Sequence, residues 1–449
     1  MIILCANTEA EYYALEELHD SMGIITDVPV YFIAKNDKRD FCSEQGCGCV
    51  YFPCLNMKES FSSEIEAYID GNSLYIKTDI LSCIVQALSR CEENNKSKDR
   101  YGRIPLKESS AYKQDIYQTA YLDRLIAGFK IYFIAYLDSQ KIFWQQISPS
   151  EKPLICLTHD ADSIQGKSLI RYAFWLASAV LSLKKTKLKD ALNRIRSYMK
   201  LNSDPHFSFQ TFYEIEKSCG FKSTFFIMSL PFFLGREGRR YSLRRSDLKE
   251  VLLKLSKSGW EIGLHPSRVT HLSNTKLKSE WDRLSGFMGS GMISIGVRNH
   301  YLKACFPETW RIQEELGIQY DSSLGWSESP GFRSGTARPF KPFDCELNRR
   351  LDLWELPLIV MDGTLNGSTD DMVKTCKDMA EEAFMHNTPF TLLWHMDRIS
   401  QLEYPEFSDA YLKILKFFRE NNCLAFTASE IVKIYKNYFD KMAKYRRRV

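Results

Sequence analysis

Leu157-Thr158-His159-Asp160-Ala161-Asp162 is the stretch around which the chain is organised. It follows Pro153-Leu154-Ile155-Cys156-Leu157, a short apolar run that predicts a buried strand. The apolar run then stops, and two carboxylates appear with one residue between them. Two acids at the end of a buried strand are costly to keep charged unless a metal, a cation or a substrate proton pairs with them. Asp is also a common helix cap, so this stretch alone reads equally as a polar turn before a helix.

The chain downstream shifts that balance. From Pro153 onward, strands are expected at 154–158, 223–228, 260–264, 292–297, 320–323, 353–359 and 390–394. Helical periodicity lies between most of them, at 211–218, 246–258, 276–288, 307–316, 371–386 and 409–421. Strands alternating with helices predict a parallel sheet. Seven strands in about 290 residues suit a distorted (β/α)7 barrel. Ionisable residues recur where these strands end: Asp160 and Asp162, His265, Arg298 and His300, Asp321, Asp362, then His395 and Asp397. In such a sheet the C-terminal strand ends share one face, which is where chemistry collects.

Residues 1–150 read as a smaller α+β unit, leaving 151–449 for the barrel. Strands are expected at 2–6, 28–34 and 73–78, and helices at 10–22, 79–91 and 122–135. Residues 138–152 read as a linker. His19 is the one histidine here and is expected on a solvated helix face; no catalytic cluster is visible.

The totals set limits. The chain has 449 residues, 44% hydrophobic and 26% charged, an ordinary globular composition. A formal charge of +4 gives no case for nucleic acid as the main partner. The basic tail from Lys441 to Arg448 reads as a solvated, frayed end, with an acidic lipid or phosphate contact as the minority reading. The basic stretch 181–200 reads as a solvated helix face, with electrostatic guidance of an anionic substrate carrier as the alternative. Thirteen cysteines, scattered and without a CxxC pair, read as reduced. Cys42, Cys47 and Cys49 lack the second ligand pair that a zinc knuckle needs. No basic leader opens the chain, and the longest apolar helix, 172–183, is too short to span a bilayer. A cytoplasmic protein without a transmembrane segment is expected; the oligomeric state is open.

The C-terminal part resembles the polysaccharide deacetylase superfamily, also called the NodB-homology fold or carbohydrate esterase family four. It looks most like a divergent branch fused to an N-terminal domain of uncharacterised function. Five stretches carry the likeness: Leu157–Asp162 as quoted above, Glu261-Ile262-Gly263-Leu264-His265-Pro266-Ser267, Gly296-Val297-Arg298-Asn299-His300-Tyr301-Leu302, Trp354-Glu355-Leu356-Pro357-Leu358-Ile359-Val360-Met361-Asp362 and Leu392-Leu393-Trp394-His395. Ser223-Thr224-Phe225-Phe226 is similar to the family's second strand. Tyr320-Asp321-Ser322-Ser323 with Gly331-Phe332-Arg333-Ser334-Gly335-Thr336 is similar to a substrate-side loop. The N-terminal half resembles the companion domain through residues 79–90 and Tyr101-Gly102-Arg103-Ile104-Pro105.

The resemblance implies a hydrolase acting on linear amide C–N bonds. It would remove acetyl from an N-acetylated amino sugar in a glycan or glycan precursor, with a divalent metal, typically zinc. It implies Asp160 as general base, Asp162 and His265 as metal ligands, Arg298 as the residue that orients the base, and His395 as the acid toward the leaving amine. The usual second histidine of the metal motif is replaced by Val269. His300 is the first candidate to stand in, then His271, then water. His159 replaces an aromatic residue and reads as a partner to the site or as packing; Ser163 replaces a glycine. Two other readings stay open: a carbohydrate-binding relative that has lost its metal, and a hydrolase of another small amide. Trp326, Phe332, Phe340 and Phe343 lean slightly toward stacking on a sugar face. Peripheral contact with a lipid-linked glycan is also open.

Overall fold

The structure, a computed structural model, describes residues 2–6, 8–34, 48–53, 55–56, 64–94, 96–166, 169–182, 185–201, 204–230, 241–289, 294 and 296–448. Cys42 and Cys47, and residues 292, 293 and 295 of the strand expected at 292–297, lie outside these residues.

The first sheet is centred on Ile2–Ala6, whose neighbours Val30–Ala34 and Gly48–Tyr51 run parallel to it. Ser73–Ile76 continues the sheet in parallel, and Ala67–Asp70 closes it as an antiparallel hairpin. Helix Glu9–Met22 starts in a reciprocal cap. Thr8 Oγ1 accepts the Glu11 N–H at 3.1 Å, and the Glu11 carboxylate accepts the Thr8 N–H at 3.2 Å. It packs with helices Ile80–Ser89 and Tyr121–Ser139. His19 is buried on this helix, 2% exposed, with Nδ1 3.1 Å from Asp20 Oδ1, which corrects the solvated setting expected for it. The basic tail is corrected too. Arg446–Arg448 pairs in parallel with Val30–Ala34. Arg446 donates to Glu16 at 2.7 Å and to Asp20 at 2.9 Å, and Arg448 pairs with Glu9. Acids on the first helix thus hold the tail as an edge strand. The linker region carries a short strand as well, Trp144–Gln146, antiparallel to Ile24–Thr26.

The second sheet is parallel throughout its described pairings. Its order is Trp354–Glu355, Tyr320–Asp321, Gly296–Val297, Glu261–Leu264, Ser223–Ile227, Leu154–Ala161, Phe390–Leu393 and Val360–Met361, with Leu424–Ala425 also pairing to Leu154–Ala161. Eight strands along one path make a curled α/β half-barrel, the fold class expected. The run expected as one strand at 353–359 divides, because Pro357 has no N–H to give a ladder. Leu356 N–H still donates to Asp321 O at 2.8 Å, but Ile359 N–H donates to Thr391 O at 3.2 Å. The segment therefore leaves one edge of the sheet and joins the other, linking the open sides. All eight residues of Leu154–Ala161 are buried. A central parallel strand is covered on both faces, so it shows no polar alternation with solvent.

Buried ion pairs join the two sheets' surroundings. Arg333 donates to Glu93 at 2.9 and 2.7 Å, and Arg338 donates to Glu17 at 2.8 Å. The loop expected on the substrate side is corrected by this contact. Phe332, Ser334 and Thr336 are fully buried, and Phe332 N–H donates to Tyr117 O at 2.8 Å. Trp326, Phe340 and Phe343 are buried as well, so none of these rings offers a face for sugar stacking. The basic stretch forms helix Lys185–Lys200, on which Lys187 and Lys189 are exposed. The preceding helix, Leu169–Leu181, leaves Val180 and Leu181 exposed at its end. Among the described residues no helix is long and apolar enough to cross a membrane.

Candidate active site

Successive residues of Leu154–Ala161 point to opposite faces, and that divides their roles. His159 turns toward the helices. Its Nε2 lies 2.7 Å from Glu216 Oε1 and its Nδ1 2.8 Å from Trp394 O. Glu216 also accepts from Ser223, Trp260 and Tyr411 at 2.7–2.8 Å. This cluster is buried, which answers the open reading of His159 in favour of packing.

Thr158 and Asp160 turn the other way, toward Arg298. Arg298 has no exposed surface. Its Nη1 donates to Thr158 Oγ1 at 2.6 Å and to Asp160 Oδ1 at 3.4 Å. Its Nε donates to Ser322 O at 2.9 Å, and its Nη2 to Ser322 Oγ at 2.7 Å. The Phe226 ring lies 4.7 Å from the guanidinium carbon. A buried guanidinium needs such a full set of partners. Here the set holds the cation beside Asp160, so the Asp160 carboxyl is oriented.

Just past the strand end, Asp162 meets two histidines. His265 Nε2 lies 2.9 Å from Asp162 Oδ1 and 3.8 Å from Asp160 Oδ2. His300 Nε2 lies 3.3 Å from Asp162 Oδ2. One ligand atom from each of Asp162, His265 and His300 lies within 4.8 Å of the others. His265 Nδ1 is 2.6 Å from Arg298 O, a contact that fixes the ring with Nε2 facing Asp162. Two imidazoles and a carboxylate at this spacing are a donor set that suits a divalent metal such as zinc. Burial would raise the Asp162 pKa, but His300 and His265 outweigh it and hold the carboxyl well below its ordinary range. His271 is not in the cluster, and Val269 is 40% exposed.

His395 stands at the end of Phe390–Leu393. Its Nδ1 is 2.6 Å from Asp362 Oδ1, and its N–H donates to Asp362 Oδ2 at 2.7 Å. Burial disfavours the imidazolium, but the buried Asp362 carboxylate outweighs it and raises the pKa to about 10. Asp362 was visible in the sequence as a strand-end acid without a role. Its pairing with His395 depends on the neighbouring strands Val360–Met361 and Phe390–Leu393.

Asp160, Asp162, His265, His300 and His395 line one pocket of about 200 Å³. Asp321 and Asp397 do not. Asp321 is buried behind it, with its carboxyl raised to about 6 chiefly by that burial. The remaining wall is mainly apolar, from Leu302, Met361 and Leu393. It also includes Arg103 and Tyr301, which sequence reasoning gave no part in the site. Arg103 comes from the N-terminal half, in the stretch Tyr101–Pro105 that carries the likeness to the companion domain but no sign of a part in this pocket.

Residues 13–134 match a family of unknown function (DUF7033). No curated protein matches the chain. Among solved structures, the chain is similar to a protein from Mycobacterium smegmatis described as a polysaccharide deacetylase, at 13% identity and a TM-score of 0.41, covering 65% of this chain and 95% of that one. It is similar to PuuE allantoinase at 12% identity and a TM-score of 0.43, covering 65% and 94%. It is also similar to the peptidoglycan deacetylase PdaC from Bacillus subtilis, at 14% identity and a TM-score of 0.34, covering 66% and 98%.

Proposed function

We propose that the chain is a metal-dependent deacetylase of the polysaccharide deacetylase superfamily, removing acetyl from an N-acetylated amino sugar in a glycan or glycan precursor. Residues 151–449 are the catalytic unit, and 1–150, joined by the last strand, are the accessory unit. The observation that carries the reading is the convergence of Asp162, His265 and His300 beside the Arg298-bound Asp160, with His395 across the same pocket.

Asp162, His265 and His300 would hold a divalent metal, which would supply Lewis acidity for the amide carbonyl and water. Asp160, aimed by Arg298, accepts the proton of the attacking water. Water oxygen adds to the carbonyl carbon. His395, held protonated by Asp362, gives a proton to the amide nitrogen as the C–N bond breaks, leaving acetate and a free amine.

The test is acetate release from N-acetylated amino-sugar oligomers by the full chain supplied with zinc or cobalt. Asp160→Asn should abolish release while the protein stays folded; retained activity removes Asp160 as the base. If no acetate is released although metal binds, the substrate class is wrong.

A further inference from the structure

We infer that the N-terminal half is part of the metal centre: Tyr101 and Arg103 are positioning residues that hold Tyr301, and through it the ligand His300. The inference rests on the reading of His300 as a metal ligand.

His300 is the residue that stands in for the histidine missing at Val269, and its backbone setting is unusual. The next two residues, Tyr301 and Leu302, both have left-handed backbones, with φ of 63° and 53°. Such conformations are costly for non-glycine residues, and they persist only where surrounding structure enforces them. The rings of His300 and Tyr301 stack across this kink, 3.8 Å apart and 24° from parallel. The orientation of the imidazole is therefore coupled to the position of the Tyr301 ring.

The other face of this arrangement comes from the N-terminal half. The Tyr101 ring stacks on Tyr301 at 5.0 Å, and the guanidiniums of Arg100 and Arg103 lie 4.7 and 4.8 Å from the Tyr101 ring. Arg103 Nη1 donates to Tyr301 O at 3.4 Å, so side chain and backbone of the kinked residue are both engaged. The 99–103 loop is itself tied by hydrogen bonds to Asp99. Asp99 Oδ1 accepts the N–H groups of Tyr101 and Arg103 at 2.8 and 2.9 Å, and Asp99 Oδ2 accepts Arg103 Nε at 2.9 Å. Gly102, at φ +82°, closes the turn against Lys303; a Cβ there would meet Lys303 Cε at 2.8 Å. The loop is anchored farther on, where Leu106 N–H donates to Glu328 at 2.6 Å. A stack thus runs from Arg103 through Tyr101 and Tyr301 to His300, and Arg103 itself reaches the pocket wall. Groups that orient a metal-binding histidine tune its affinity for the ion.

The test is a cobalt titration of the metal-stripped full chain, read from the absorption of bound Co2+, with thermal unfolding of each metal-stripped variant as the folding control. Tyr101→Leu should weaken cobalt binding by about 10- to 100-fold, the range for groups that orient a ligand. Tyr101→Phe, which keeps the ring, should bind as the parent does. Arg103→Gln should weaken binding without changing the melting temperature, and it decides the matter if Tyr101→Leu fails to fold. Parent-like affinity in Arg103→Gln and in any folded Tyr101→Leu, with His300→Ala weakened, overturns the inference and leaves the metal centre standing. Parent-like affinity in His300→Ala overturns the metal reading itself.

Discussion

His395 Nδ1 stands 2.6 Å from Asp362 Oδ1, and the backbone N–H of His395 donates to the other oxygen of the same carboxylate at 2.7 Å. A buried carboxylate fixed twice to one residue both aims the ring and keeps it charged. The folded pKa of about 10 lies above the ordinary histidine value of about 6.5. The pairing's contribution to stability is therefore complete below about pH 6.5 and is lost as pH rises through about 10.

In the proposed reaction the same pairing would set the alkaline limb, because His395 would need a proton to give. Asp362→Asn should move that limb from near pH 10 toward neutrality, and lower kcat by about 10²- to 10⁴-fold. A pH–rate profile of the zinc-loaded variant checks this. An unmoved alkaline limb would separate Asp362 from the acid.

Restoring a histidine at 269 should not restore a ligand. Val269 is 40% exposed, whereas Asp162, His265 and His300 face one another within 4.8 Å. Val269→His should bind zinc as the parent does, and His265→Ala and His300→Ala should each lose zinc in metal analysis of the purified protein.

Arg298 serves fold and site together. Arg298→Met removes the cation and leaves Asp160 and Ser322 without their buried partner. Breaking a buried pair on one side costs about 3–5 kcal/mol. Urea unfolding should show a loss of that order, with acetate release abolished.

Glu216 is a contrasting buried acid. It accepts from Ser223, Trp260 and Tyr411 and contacts His159, all on the face of Leu154–Ala161 turned away from the pocket. Each donor left unsatisfied costs about 1–3 kcal/mol, so Glu216→Ala should destabilise by more than about 3 kcal/mol. The zinc affinity of the protein that remains folded should be unchanged in a titration below its melting temperature.

Much of this was legible because periodicity is local. The apolar run before Asp160 marks its strand, and the regular return of acids and histidines at strand ends follows from a parallel sheet with its C-terminal ends on one face. What escaped had no local signature. Val360–Met361 and Leu424–Ala425 are two-residue strands, too short for a pattern. His19 and the tail were read as solvated because polar residues usually are; acids on the first helix and a paired edge strand bury or bind them instead. The aromatic residues after Asp321 are ambiguous in sequence, since a stacking ring and a packed ring look alike until their surroundings are known.

By itself the sequence determined the parallel strand–helix alternation and the chemical types gathered at the strand ends, because backbone period and residue chemistry are written position by position. Tertiary structure alone decided which of those residues meet. His300 rather than His271 joins Asp162 and His265, Asp362 pairs with His395, and Tyr101 and Arg103 reach Tyr301 across about 200 positions of chain. Each of these meetings depends on strand order, on backbone kinks and on how the N-terminal loop lies against the barrel, and none of these is encoded in residue spacing.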